Sequence, residues 1–274
     1  MSDTKASKHN FKRKTAFILL AILGTILIIG WLIYTPTGLS GKADAIGYSF
    51  CHRIDSRSFH VGDYQFPLCA RCSGMYLGAL LAIVFQAILG KKNGGFPQKG
   101  ILAGLVVFLL AFAVDGGNSL LQFAFKDGLL YQTTNTTRLI TGTGVGLGIG
   151  LVLYPLFHQS VWMFYDRKPV IDNWKKFGLL ILLAGILDLI ILSDVNWLLY
   201  PLAILSAVSV FLILITLYSV LAILLTKQDN KFKNYPELGL PVLIGFVIAL
   251  GQIALLNYLR FTITGTWGGF PPLP

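Results

Sequence analysis

The residues best able to do chemistry sit in one stretch: Cys51-His52-Arg53-Ile54-Asp55-Ser56-Arg57-Ser58-Phe59-His60, followed by Pro67-Leu68-Cys69-Ala70-Arg71-Cys72-Ser73-Gly74. All three cysteines of the chain lie in it. Cys69 and Cys72 form a C-x-x-C clamp, and Cys51 lies upstream with His52 beside it and His60 between. Tetrahedral zinc takes Cys and His ligands, often with one such clamp, so three cysteines and one histidine would complete a site. Adjacent residues seldom both ligate one metal, which makes His60 a sterically plausible fourth ligand. His52 is then either a supporting group or the true ligand, and spacing does not choose. Attachment of a c-type haem is disfavoured, because Ser73 rather than His follows the clamp.

Two other readings of the thiols stay open. Outside the cell, cysteines oxidise, so a Cys69–Cys72 bridge, or one involving Cys51, competes with a metal. The odd count leaves one thiol over, which fits a metal or redox centre better than a purely structural bridge. Inert thiols are the third possibility. Arg53, Arg57 and Arg71 favour thiolate by their charge, which serves metal binding and redox chemistry alike.

A second constellation follows at a similar depth. Asp115 and Asn118 are one helical turn apart, and Asn135 and Arg138 open the next apolar segment. An ionisable group inside a membrane segment is costly and points to function. Asp115 and Arg138 are expected to meet, either as an ion pair locking two helices or within a working site. On the functional reading Asp115, Arg138 and Arg57 carry catalysis, while Arg53, Arg71 and Asn135 bind substrate. Asp188 is a weaker case, near a boundary and able to snorkel.

These groups need a frame, and composition supplies it. Of 274 residues 55% are hydrophobic and 12% charged, about half the charged share of a soluble domain. The pattern predicts an all-α integral membrane protein, a bundle of about seven transmembrane helices. Segments of about 20 apolar residues suffice to span, and they fall at 15–34, 73–90, 100–123, 138–157, 177–193, 198–226 and 239–259. Residues 1–14 form a basic cytoplasmic arm, 35–72 an extracytoplasmic Cys/His/Arg loop, 73–157 the core helices and 158–176 a cytoplasmic loop. Residues 177–259 hold the last three helices, and 260–274 an outer tail. Of the 22 Lys and Arg residues, fifteen fall on one side of this arrangement and seven on the other, which puts the N-terminus inside and the C-terminus outside. The expected location is a cell membrane, multi-pass, most naturally a prokaryotic plasma membrane. The first apolar run is longer than the about 7–15 residues of a signal-peptide core, so an uncleaved helix is expected. The net charge of +10 reflects cytoplasmic loops, and no basic face with interleaved aromatics suggests nucleic acid. Gly142, Gly146 and Gly150, with Gly144 and Gly148, match Gly74 and Gly78 on the second helix. Small residues at this spacing predict close packing of the second and fourth helices.

The motif Cys51-His52-Arg53, Arg57-Ser58-Phe59 and Pro67-Leu68-Cys69-Ala70-Arg71-Cys72-Ser73-Gly74-Met75-Tyr76-Leu77-Gly78 resembles the signature of a bacterial family of predicted polytopic membrane proteins of unknown function. Asp115-Gly116 and Thr134-Asn135-x-x-Arg138-x-x-Thr141-Gly142 resemble its second signature. The resemblance covers roughly residues 44–157, departs from the family at Gly117-Asn118-Ser119, and implies nothing for the last three helices. It implies a shared site without an activity.

The reading that results is an outward-facing polar pocket. Asp115, Asn135 and Arg138 form its floor, and the Cys/His/Arg loop, with zinc as cofactor, its lid. A metal beside arginines suits an anionic small molecule or a lipid-linked substrate, since guanidinium forks bind carboxylate and phosphate bidentately. The alternative is a transporter or channel, or a redox or assembly subunit, in which the cysteines only staple the loop. Membrane lipid is the expected surrounding partner.

Overall fold

A computed structural model describes residues 2–122 and 130–269, with side chains from Arg13 onward. Lys126, one of the outer charges, and Pro274 in the outer tail lie outside the described residues. The elements are α1 Ser2–Tyr34, α2 Gly38–Phe50, a 3-10 turn Asp55–Arg57, β1 Ser58–Val61, β2 Tyr64–Cys69 and α3 Ala70–Leu89. There follow β3 Asn93–Gly95, α4 Lys99–Leu121, α5 Asn135–Val161, β4 Asp166–Pro169, α6 Trp174–Leu192, α7 Asn196–Leu225, a 3-10 turn Tyr235–Leu238 and α8 Gly239–Thr264.

Local chemistry sets several of these boundaries. α5 starts at a capping box in which the Thr137 amide donates to the Thr134 hydroxyl (3.2 Å) and the Thr134 amide to the Thr137 hydroxyl (3.0 Å), satisfying two orphan N–H groups. Asn173 caps α6 by accepting from the Lys176 amide at 2.9 Å. α8 stops at Gly265, whose φ of +65° is the left-handed geometry of a glycine C-cap.

Among the described residues, six helical stretches are long and apolar enough to cross a membrane: Arg13–Tyr34, Ala70–Leu89, Lys99–Leu121, Asn135–Val161, Asn196–Leu225 and Tyr235–Thr264. α6 is as apolar in its middle but carries Lys175, Lys176 and Asp188 in 19 residues. Even so, it runs the full height of its neighbours. Phe177 and Leu180 pack in one cluster with Tyr154, Val170 and Ile171, while Ile191 joins Phe66, Leu77 and Leu139 in another. The flanks of α1, such as Ile18, Ile26 and Ile33, are exposed apolar surface, which suits lipid rather than water.

α3 and α5 form the axis of the bundle, and glycine explains why. A Cβ on Gly142 would strike the Arg71 carbonyl, one on Gly146 the Met75 carbonyl, and one on Gly150 the Ala79 carbonyl. From the other side, Gly74 and Gly78 lie against the backbone of Leu139 and Thr143. The expected close approach of these two helices is therefore made backbone to backbone. α4 packs on the far side of α5, α7 pairs with α8, and α1 lies against α8. The segment 35–72, expected only as a loop, is itself ordered. α2 lies across α7, α8 and β2, with Gly47 seated on the Pro67 carbonyl. β1 and β2 pair antiparallel with Ser58 opposite Cys69.

Candidate metal centre and arginine pocket

Three chain ends converge at one point. Cys51 is the C-cap of α2, Cys69 ends β2 and is the N-cap of α3, and Cys72 lies in the first turn of α3. Their sulfurs all lie within 4.8 Å of one another. A zinc tetrahedron with Zn–S bonds of about 2.3 Å has an edge of about 3.8 Å, so small shifts would bring the sulfurs to ligand spacing. The cysteines are free, and Cys51 and Cys69 are buried among Leu68, Val210, Ile46 and Phe50.

The backbone around them is arranged for negative sulfur. The Cys69 amide donates to Sγ of Cys51 at 3.1 Å, and the Arg53 amide approaches the same sulfur at 3.5 Å. Arg53 reaches that position only in the left-handed region, at φ +52°, a conformation that costs a non-glycine residue about 1–2 kcal/mol. The N-terminus of α3 adds its positive dipole end beneath Cys69 and Cys72. Hydrogen bonds from Cys51 and then Cys72 hold the Cys69 thiol well below the ordinary range. In turn the hydrogen bond with Cys69, with burial behind it, pushes Cys51 up to about 12 against the opposing effects of Cys72 and the Arg53 amide. A divalent cation bound by these three sulfurs would favour their thiolate forms further.

Neither histidine completes a tetrahedron here. His60 pairs with Asp55, Nε2 to Oδ1 at 2.9 Å, and is more than a third exposed. His60, expected as a fourth ligand, sits on β1 opposite Gln65, outside the thiol group. His52 lies close enough to Cys69 for their charges to interact, and burial lowers its pKa. Its Nδ1 accepts the Ile54 amide at 3.2 Å, which leaves the proton of the neutral ring on Nε2. In this tautomer His52 offers a donor rather than a metal lone pair.

Arg71, next to Cys72, leads into the second group. Its guanidinium forms an ion pair with the fully buried Asp115 on α4 and also donates to the Asp115 carbonyl at 3.2 Å. Asp115 further accepts from the Tyr131 hydroxyl at 2.9 Å and the Thr141 hydroxyl at 3.4 Å. The expected Asp115–Arg138 pair is therefore replaced by Asp115–Arg71. The helical rise put Arg138 at the right height, but its head turns toward neutral oxygens: Thr133 Oγ1 (2.7 Å), Asn135 Oδ1 (3.0 Å), Ser119 Oγ (3.4 Å) and Gln122 Oε1 (3.5 Å). Arg57 donates to the Ser119 carbonyl at 3.1 Å, and its pKa is lowered by burial and then by the like charge of Arg71. Asn135 ties α5 to the loop through the Ser58 carbonyl at 3.3 Å. Three guanidiniums, Arg57, Arg71 and Arg138, thus share one region with the buried Asp115 carboxylate and the Cys69 thiol. Nε of Arg71 is buried with no partner.

Arg53 lies elsewhere. Its side chain, expected to bind substrate, is 6% exposed, pairs with Asp44 of α2 at 2.9 Å and reaches the Trp267 carbonyl at 3.5 Å. Asp188 also stands apart, 8% exposed and accepting from Thr143 at 2.7 Å. Asn118 holds the connection to α5, donating to the Tyr131 carbonyl at 2.6 Å and accepting the Leu130 amide at 3.0 Å.

Several contributors are not evident from the sequence pattern. Ser119 and Gln122 follow Asp115 at helical spacing, a signal that was available. Tyr131 and Thr133 lie in a connection without periodicity and carry none. Arg260 on α8 donates to the carbonyls of Tyr48 (2.6 Å), Cys51 (2.6 Å) and His52 (3.2 Å), and its guanidinium lies 3.9 Å over the Tyr48 ring. It is an arginine at the end of an apolar helix, and its partners come from more than about 200 residues away in the chain.

Residues 51–152 match a family described as "Predicted membrane protein (DUF2085)", a span that contains the three cysteines, Asp115 and Arg138. An uncharacterized protein of Methanocaldococcus jannaschii is 28% identical over 113 residues, 41% of this chain and 66% of that protein. An uncharacterized protein of Methanothermobacter thermautotrophicus is 28% identical over 108 residues, 39% of this chain and 91% of that protein. The chain thus spans slightly under two thirds of the first relative, and both of these relatives are archaeal. No solved structure matches the chain. α6 to α8 lie beyond the matched region, although α8 supplies Arg260 to it. With its apolar helices, the similarity makes this a multi-pass helical membrane protein, similar over residues 51–152 to a membrane-protein family of unknown function.

Proposed function

We propose that Cys51, Cys69 and Cys72 hold a zinc ion with one coordination position open, and that Arg57, Arg71 and Arg138 bind an anionic or lipid-linked substrate beside it. The observation that carries this reading is the juxtaposition of three convergent sulfurs with Arg57, Arg71 and Arg138, gathered around the buried Asp115. Three protein ligands with an open position are the pattern of catalytic zinc, whereas four ligands close a structural site. A zinc ion so held would supply Lewis acidity toward a phosphoryl or carbonyl oxygen, or activate water. The residues of the chain do the rest. Arg138 and Arg57 present forks to the anion, Asp115 orients Arg71, and Nε2–H of His52 is a further donor.

Metal content tests the first half. The protein purified in detergent should carry close to one zinc per chain, with its thiols shielded from alkylation until a chelator is added. Cys51→Ser, Cys69→Ser and Cys72→Ser should each lose the metal, while His60→Ala and His52→Asn should retain it. A metal-free protein with a disulfide would instead make the cysteines a staple. The second half is tested with inorganic phosphate, which should raise the melting temperature of the zinc protein and leave that of an Arg57→Gln/Arg138→Gln variant unchanged.

A further inference from the structure

At the opposite end of the bundle a cavity of about 310 Å³ opens between α3, α5 and α7. Its inner wall is apolar, formed by Ile83, Ala87, Leu153 and Phe157 with Thr216. Its mouth is basic and aromatic, with Lys91, Lys92, Tyr154, His158 and Tyr235. No carboxylate is among the described residues that line it. The polarity therefore changes along the length of the cavity, from charge at the helix ends to hydrocarbon about two turns down α3. A free anion would use only the mouth and an apolar molecule only the floor.

The mouth is rigid. The Lys92 ammonium rests 3.9 Å from the Trp162 ring centroid and 5.6 Å from that of Tyr235, and donates to the Lys233 carbonyl at 2.9 Å. The Trp162 indole N–H donates to Nδ1 of His158 at 2.7 Å, which leaves Nε2–H as the donor the neutral ring offers. The Tyr154 hydroxyl is spent on the Gly90 carbonyl at 3.1 Å. Lys91 is exposed beside them and has no ion-pair partner among the described residues.

From this arrangement we infer that the cavity is a binding site for an anionic phospholipid, its phosphate held by Lys91, Lys92 and His158 and one acyl chain laid against Ile83, Ala87, Leu153 and Phe157. Charge complementarity selects the anionic headgroup, since basic pockets between membrane helices attract such lipids. The apolar floor selects a lipid over a soluble phosphate. The site is separate from the cysteine centre and does not depend on its being a metal site.

The test uses the full-length protein in detergent, with retained lipid counted by native mass spectrometry after addition of phosphatidylglycerol or phosphatidylcholine. Phosphatidylglycerol should be retained preferentially. Lys91→Glu, at an exposed position where folding is not at risk, should weaken retention at least about fivefold per unit of charge changed. Ala87→Trp should fill the apolar end and displace both lipids. Glycerol phosphate at millimolar concentration should not compete. Equal retention of the two lipids, or an unaltered Lys91→Glu protein, would overturn the inference. Full displacement by glycerol phosphate would overturn the lipid assignment in favour of a soluble anion.

Discussion

The Asp115 carboxylate has no exposure and is partnered by Arg71, Tyr131 and Thr141. Removing one partner of a buried ion pair leaves an uncompensated charge and costs about 3–5 kcal/mol. Arg71→Ala should therefore lower the melting temperature sharply, and Asp115→Ala added to it should restore much of the loss. Arg138→Ala should be milder, because its named partners are neutral oxygens that can rebond to one another or to water. A melt in which Arg138→Ala and Arg71→Ala were equally damaging would restore the pairing expected from sequence. The difference between the expected and observed pairs has a simple origin. The rise of a helix fixes the height of a residue, and on height alone Asp115 and Arg138 match. Which charges touch depends on rotation about the helix axis and on the first turn of α3, which places Arg71 nearer. The cysteine group was legible because C-x-x-C and its upstream partner carry their geometry in their spacing. Which histidine attends it was not, since that depends on the hairpin register that turns His60 to Asp55.

At the level of elements, glycine spacing announced the α3–α5 contact but gave the five glycines of α5 equal weight. The packed structure separates them. Gly142 and Gly146 sit on carbonyls of α3, Gly144 faces the Phe108 ring, and a Cβ on Gly148 would come no closer than 3.9 Å to Leu105. Gly148→Ala should be neutral or slightly stabilising, since alanine is the better helix former by about 0.8–1 kcal/mol. Gly142→Ala and Gly146→Ala must push the α3 and α5 backbones apart and should destabilise strongly. Gly142→Ala should also disturb the cysteine centre, because the carbonyl it would strike belongs to Arg71, next to Cys72. Thermal melts and zinc content on the same preparations would separate the two effects. Arg260 makes the corresponding case for α8. It satisfies three carbonyls of the α2–β1 connection, so Arg260→Ala should release zinc to a weaker chelator than the parent protein while the bundle stays folded, and Arg260→Lys should recover only a fraction, lacking the planar fork. An unchanged chelator titration would reduce Arg260 to an anchor of the helix end.

For the molecule as a whole, the arrangement of clusters bears on how often the chain crosses the membrane. Val161 and Trp162, at the end of α5, pack with Ile223 and Phe232 beyond the far end of α7, so those two ends share a side. α7 is 30 residues long, or about 45 Å at 1.5 Å per residue, enough to span a core of about 30 Å. A chain that leaves α5 on one side and returns through α7 to the same side must first be carried across. α6 is the element placed to do this: it starts beside Val170 and Ile171 and ends beside Phe66 and Leu139. Its 19 residues give about 28 Å, close to the bilayer core. Its three charges do not forbid this, since Lys175 and Lys176 lie at the entry and Asp188 is covered by Thr143. Seven crossings would put the β1–β2 hairpin and the connection after α7 on opposite sides, and the excess of Lys and Arg would place the latter inside. Asp63 in the hairpin turn and Asp229 after α7 are both exposed. An impermeant maleimide applied to intact cells should label Asp63→Cys and spare Asp229→Cys until the membrane is opened. Labelling of both positions from outside would mean that α6 fails to cross. Labelling of Asp229→Cys alone would invert the orientation and move the cysteine centre to the cytoplasmic face.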